Sequence, residues 1–217
     1  MGYSFYEFMK EVFVHRKILH SIEMEYLERM YLMRGKRHSR DYILCALFAA
    51  LIAVGAFIRI PIPVVPFTLQ LLFTMMAGLL LGGRLGAMSV CVYIAMGLMG
   101  LPVFAEGGGL MYLFKPSFGY LIGFAVASYV TGRIARCVER PGYTRLLAAN
   151  FIGLFIVYIF GMIYYYLMSN FYLGSSIGLM PLFIYCFLLA VPGDIVLCIL
   201  AAILGKRLIP LLPRMGV

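Results

Sequence analysis

Long uncharged stretches separated by short polar segments dominate the chain after residue 41. A bilayer core of about 30 Å needs roughly 20 apolar helical residues to cross it. The pattern therefore predicts an all-α integral membrane protein, folded as a bundle of six transmembrane helices. We place the spans at about Tyr42–Ile58, Phe67–Gly82, Leu85–Leu101, Phe118–Ile134, Leu146–Met168 and Pro192–Ile209.

The uncharged sequence that follows the fifth span is too long for one helix and too short for two. A straight helix from Ile177 to Gly205 would measure roughly 43 Å, which exceeds the thickness of the bilayer core. Proline is tolerated in the first turn of a helix and disrupts a helix elsewhere. We therefore start the sixth span at Pro192 and expect residues 177–190 to pack at one membrane face.

Basic residues are distributed unevenly between the two sides of the predicted membrane. Counted along these spans, 16 of the 18 lysines and arginines share the side of both chain ends, whereas Arg59 and Lys115 lie opposite. Such an excess marks the cytoplasmic side of a membrane protein. We expect both termini in the cytoplasm, and we assign the net charge of +9 to topology rather than to nucleic-acid binding.

The amino-acid composition supports the membrane assignment, and the charged residues are concentrated in the N-terminal part of the chain. Charged residues make up 12% of the sequence, against roughly a quarter in soluble domains, and 14 of the 27 charges lie in the first 41 residues. We predict a charged amphipathic cytoplasmic extension over residues 1–41, a transmembrane domain over 42–210 and a short cytoplasmic tail over 211–217. The extension either lies on the anionic lipid surface or contributes only to topology.

The sequence lacks the motifs that are typical of disulfide frameworks, thiolate metal sites and ATP hydrolysis. The five cysteines form no CxxC pair, and all three histidines lie within the first 38 residues. We therefore expect no disulfide framework, no thiolate metal site and no cofactor. No GxxxxGK[ST] phosphate loop occurs, so we do not expect the chain to hydrolyse ATP or to act as an enzyme.

Helix-breaking residues cluster on the outer side of the predicted bundle. They lie in 59–66, with three prolines, in 102–116, with three consecutive glycines, and at Pro192 and Gly193. Irregular backbone at membrane depth is tolerated mainly where it lines a cavity. The clustering predicts a pocket that opens outward.

Asp194 is the most informative polar residue, because an acidic side chain within an uncharged span is costly. It either caps the first turn of its own helix or contacts a ligand. Other candidates are Thr68 and Gln70, which either bind a ligand or join helices, and Tyr93 and Tyr120, which either bind a ligand or pack.

Small residues form a stripe on the first span. Ala46 and Ala50, like Ala49 and Ala53, are four positions apart and so share helix faces. Such faces allow another helix to approach closely. The stripe serves either packing within the bundle or contact with a partner protein.

Four ordered motifs resemble the BioY family, the biotin-specific S components of energy-coupling factor (ECF) transporters. The resemblance covers about Asp41 to Arg207. The motifs are IPIPVVPFTLQ at 60–70, YIAMGLMGLPVFA at 93–105, KPSFGYLIGF at 115–124 and PGD at 192–194.

The resemblance implies a six-helix bundle in the bacterial cytoplasmic membrane, surrounded by lipid, that takes up biotin from outside. It implies a lid between the first two spans and a site that includes Thr68, Gln70, Tyr93, Glu106, Lys115, Tyr120 and Asp194. It also implies docking, through Ala46, Ala49, Ala50 and Ala53, on a coupling protein that carries two ATPases, unless the chain acts alone. Alternatives are an S component for another vitamin, a membrane enzyme acting on lipid and a membrane assembly protein.

The chain departs from the family pattern in two places. The family often has a lysine three residues after the aspartate of the sixth span, where this chain has Leu197, and the long charged extension is atypical. Biotin carries a carboxylate that needs a nearby cation. Of the two outer-side cations we favour Lys115 over Arg59, because Pro116 follows it and holds it in a more rigid turn.

Overall fold

Helices account for most of the chain in the computed structural model, which describes residues 39–60, 67–138, 140–174 and 177–211. The predicted amphipathic helix before residue 39, the proline-rich lid segment 61–66 and the tail from residue 212 lie outside the described residues. Seven helices are described. They are α1 (Ser39–Phe57), α2 (Gln70–Leu81), α3 (Gly83–Leu98), α4 (Phe118–Arg136), α5 (Tyr143–Leu167), α6 (Leu179–Phe183) and α7 (Val191–Leu208).

Six of these helices coincide with the six predicted spans, but they differ in length. The helical stretches 39–57, 118–136, 143–172 and 179–211 are long and apolar enough to cross a membrane. Helices α2 and α3 are also apolar but have only 12 and 16 residues. The described part of the chain thus contains four full-length candidate spans and two shorter helices.

The predicted start of the second span at Phe67 was wrong by three residues. Strand β2 (Phe67–Thr68) pairs antiparallel with strand β1 (Arg59–Ile60), and α2 begins only at Gln70. The backbone groups used in this short ladder are unavailable for the first turn of a helix. The ladder joins the end of α1 to the start of α2.

Helix α2 lies in the middle of the bundle. It contacts α3, α4 and α7, and eleven of its twelve residues are buried. A helix that is apolar on all sides is expected in a protein interior. Together with Ile52, Val90 and Leu146 from neighbouring helices, its Met75 and Leu79 side chains form the fully buried core.

Two features end α2 at the side opposite the β-ladder. Gly82 has a positive φ of 87°, a conformation that favours glycine, and turns the chain directly into α3. Arg136 of α4 donates a hydrogen bond from Nε to the Leu79 carbonyl at 3.0 Å and another from its guanidinium to the Leu80 carbonyl. A cation at this end stabilises the carbonyls that the helix leaves unpaired.

Within the helical stretch 179–211, helix α7 begins where the proline predicts. Helix α7 starts at Val191 with Pro192 in its first turn, after a π-helical turn at Ile184–Leu188. Residues 179–188 before it are helical and bury Leu182 and Cys186. The position of this segment relative to the membrane face stays a prediction.

The loop after α3 folds back tightly onto that helix. Phe104 pairs through its backbone with Gly107, and the Gly109 amide donates to the Gly97 carbonyl at 2.7 Å. The Phe104 ring is 1% exposed and covers Gly97. This packing fixes the start of the segment that leads to α4.

We predict that Gly97→Ala destabilises the protein. A Cβ atom at this position would lie 2.1 Å from Cζ of Phe104. Overpacking of this kind costs about 1–3 kcal/mol, so the melting temperature in detergent should fall by several degrees. Gly142→Ala is the matched control, because nothing lies within 4 Å of its Cβ position. Equal melting temperatures for the two variants would contradict the packing described here.

Candidate ligand-binding site

A cavity opens at the end of the bundle where α2, α4 and α7 begin. Its empty volume is about 690 Å³, including the open mouth. Its apolar wall consists of Phe67, Leu71, Leu121, Phe124, Val157 and Ala190. Its polar lining consists of Thr68, Gln70, Tyr112, Ser117, Tyr120, Tyr158 and Asp194. The predicted pocket is therefore present.

Asp194 points into this cavity rather than capping its own helix. Helix α7 has no side-chain cap hydrogen bond, although Asp194 lies in its first turn. Instead, the Tyr158 hydroxyl of α5 donates a hydrogen bond to Oδ2 of Asp194. The structure thus does not show the capping role, and ligand contact by Asp194 stays a prediction.

Gln70 presents an unsatisfied polar group to the cavity. The residue is 3% exposed, and its Nε2 amide lies beside the Tyr93 hydroxyl but makes no hydrogen bond of ordinary geometry with a described residue. Buried polar groups are normally paired, so an orphaned donor on a cavity wall indicates the position of a ligand or water. Thr68, two residues earlier, lines the same wall and is half-buried.

Tyr120 also lines the cavity, as predicted, and joins two elements of its wall. Its hydroxyl donates to the Cys186 carbonyl at 3.4 Å, and its ring meets the Tyr158 ring edge-on with centroids 6.2 Å apart. Tyr93, by contrast, does not line the cavity. It is fully buried beside Gln70, donates to the Val103 carbonyl at 3.1 Å and serves the packing of the loop after α3.

The charged candidates surround the mouth. Glu106 and Lys115 do not line the cavity; they form an ion pair at 3.0 Å, and Lys115 also lies 5.0 Å from the centre of the Tyr112 ring. Arg59 donates from its guanidinium to the carbonyl oxygen of Ala105, a residue that lines the cavity. Burial raises the pKa of Tyr112, so its hydroxyl remains a hydrogen-bond donor at the mouth.

The alanine stripe divides into two faces. Ala46 and Ala50 are exposed, whereas Ala49 and Ala53 are 0% and 8% exposed and belong to the bundle core. The expectation that all four contact a partner protein is therefore wrong for Ala49 and Ala53, whose surfaces are already covered. Ala46 and Ala50 are free to make such a contact.

Several lining residues were not anticipated from the sequence. Tyr158 is the most important, and it is one of five tyrosines in α5 with no local signal to distinguish it. Tyr112, Ser117 and Phe124 lie within or beside the recognised motifs but carry no chemistry that marks them individually. Among the described residues, no group of three His, Cys, Asp or Glu side chains is suited to hold a metal ion.

Comparison with known proteins agrees with this architecture. The sequence model of the BioY family matches residues 28–214. A protein of Lysinibacillus sphaericus named "Probable biotin transporter BioY" is 48% identical over 176 residues, which cover 81% of this chain and 90% of that protein. The "Biotin transporter BioY" of Thermotoga maritima is 36% identical over 175 residues, which cover 78% and 95% of the two chains.

A solved structure has the same fold. The crystal structure of "the S-component for biotin from an ECF-type ABC transporter" superposes with a TM-score of 0.70 at 30% identity, covering 80% of this chain and 92% of that one. The predicted six-helix membrane fold is thereby confirmed. The chain belongs to the BioY family.

Proposed function

We propose that this chain is the biotin-binding S component of an ECF transporter, which captures biotin outside the cytoplasmic membrane and releases it inside. The observation that carries the proposal is the cavity, whose lining combines apolar side chains with Asp194 and Gln70 and includes Ala105, the residue whose carbonyl accepts a hydrogen bond from Arg59. A transporter subunit of this kind binds and moves its ligand and is not an enzyme.

The lining of the cavity fits the chemistry of biotin. The ureido ring carries two N–H donors and one carbonyl acceptor, which suit the Asp194 carboxylate and the orphaned amide of Gln70 respectively. Thr68 and Tyr120 border the same region. The thiophane ring and the aliphatic chain of biotin suit the apolar wall around Phe124.

The carboxylate of biotin requires a cation at the mouth. Lys115, the residue that the sequence favours, is engaged with Glu106, so this pair presents little net charge to a ligand. The guanidinium of Arg59 contacts a carbonyl and forms no ion pair with a described carboxylate. We therefore infer that Arg59 binds the carboxylate and that Lys115 and Glu106 stabilise the rim.

The distribution of basic side chains supports an outward-facing cavity. Arg133 and Arg136 lie at the end of α4, and Lys206 and Arg207 lie at the end of α7, so all four are at the end of the bundle away from the cavity. Basic residues mark the cytoplasmic side. The cavity then opens to the outside and both termini lie in the cytoplasm.

The names of the relatives support biotin as the ligand and an ECF module as the partner. An S component without a nucleotide site needs energy from a partner, which we propose to be a membrane coupling protein that carries two ATPases. The exposed face of α1 at Ala46 and Ala50 is the proposed contact, because small residues allow close helix approach. The alternative is that this chain transports biotin without a coupling protein.

Asp194→Asn should weaken biotin binding at least about tenfold, which corresponds to roughly 1.4 kcal/mol. The substitution removes the negative charge and replaces one acceptor oxygen with an NH2 donor, so that the two ureido N–H groups and the Tyr158 hydroxyl compete for a single acceptor. Titration calorimetry on the purified variant measures the change. Asp41→Asn, the same exchange in a residue that pairs with Arg40 and is not part of the cavity lining, is the control. Unchanged affinity in the Asp194 variant would refute the assigned role.

Arg59→Ala should cost more affinity for biotin than for the neutral biotin amide, because only biotin loses an ion pair. Lys115→Ala should reduce both affinities equally and only slightly, since Lys115 is paired with Glu106. For each variant, competition against labelled biotin measures the loss of affinity for biotin and the loss of affinity for the biotin amide, relative to the wild-type protein. If Lys115→Ala, and not Arg59→Ala, weakens binding of biotin more than binding of the amide, then Lys115 binds the carboxylate.

Replacement of both Ala46 and Ala50 by leucine should abolish co-purification with a coupling protein and leave biotin affinity unchanged. The added side chains prevent close approach at an exposed face that does not touch the cavity. Ala148→Leu, at an exposed position on α5, is the matched control. Retention of the partner by the double variant would place the contact elsewhere.

A further inference from the structure

The orientation of Asp194 depends on a single side chain. Its carboxylate is partly buried, makes no cap hydrogen bond to α7 and accepts the Tyr158 hydroxyl at Oδ2. No lysine, arginine or histidine among the described residues forms an ion pair with it. Tyr158 is thus its one side-chain partner within the described part of the chain.

Tyr158 is itself held rigidly. The residue is 2% exposed, and its ring is packed edge-on against Tyr120 of α4. On another side its ring meets Phe187 at a centroid distance of 5.0 Å, and Phe187 is stacked on Phe183. Aromatic contacts from two elements therefore fix the hydroxyl that holds the carboxylate, and one of them is supported by Phe183 of α6.

The partner is neutral, which determines what the carboxylate can bind. A phenol hydroxyl occupies one lone pair of Oδ2 but does not cancel the negative charge. One turn further along α7 lies Leu197, which is 6% exposed and supplies no charge. Asp194 thus retains hydrogen-bond acceptor capacity on the side that faces the cavity.

We propose that Tyr158 is the positioning residue for ligand recognition, which acts by orienting Asp194, and that the pair selects ligands whose N–H donors carry partial or full positive charge. The inference rests on the proposed function and deepens it. It implies that 2-iminobiotin, in which a guanidinium replaces the urea, still binds this cavity, although it lacks the carbonyl acceptor that biotin offers to Gln70.

The test combines Tyr158→Phe with Asp194→Asn in a double-mutant cycle, with biotin and 2-iminobiotin as ligands. Tyr158→Phe should lower biotin affinity at least about tenfold. It should lower 2-iminobiotin affinity less, because attraction between charges depends less on angle than a hydrogen bond does. In the Asp194→Asn background, Tyr158→Phe should have little further effect on the affinity for either ligand.

Tyr164→Phe is the control, because the Tyr164 hydroxyl donates a hydrogen bond to the Leu113 carbonyl, and neither residue lines the cavity.

Three outcomes would overturn the inference: wild-type affinity for biotin in Tyr158→Phe, equal loss for both ligands, or independent effects of the two substitutions. Thermal unfolding of the same four proteins without ligand provides a separate readout, in which coupling between Tyr158 and Asp194 is expected and its absence overturns the pairing. Failure of the wild-type protein to bind biotin, with this coupling present, would count against the proposed function alone.

Discussion

The carboxylate of Asp194, held among apolar helices, is the constraint on which the architecture of the site depends. An ionised side chain without partners would be strongly unfavourable in such surroundings. Tyr158 satisfies one of its oxygens, and the cavity leaves the remaining acceptor capacity to a ligand. The contact between α5 and α7 therefore holds a directional acceptor at the cavity wall, and we propose that a ligand with N–H donors binds it.

Polar groups are arranged by depth around this acceptor. The neutral amide of Gln70 is buried on the central helix α2, whereas the formal charges of Arg59, Glu106 and Lys115 lie at the exposed mouth, where water solvates them. A ligand with a hydrogen-bonding head, an apolar middle and an anionic tail fits this order. Biotin has these three parts in sequence.

The sequence predicts what hydrophobic pattern and helix-breaking residues determine, namely the six helices, the start of α7 at Pro192 and a cavity near Asp194. It does not predict contacts between distant segments. Tyr158 and Asp194 are 36 residues apart, and nothing around Tyr158 distinguishes it from other tyrosines of α5. Likewise, four-residue spacing placed Ala49 on a small-residue face but could not show that other helices already cover it.

Equilibrium binding of labelled biotin to the purified wild-type protein in detergent tests the central claim most directly. The account predicts saturable binding of one biotin per chain with a dissociation constant below about 1 μM, corresponding to about −8.2 kcal/mol or stronger. It also predicts that unlabelled biotin, but not an unrelated vitamin that lacks a ureido ring, displaces the label. Absence of saturable binding in that range, or displacement by the unrelated vitamin, would contradict the account.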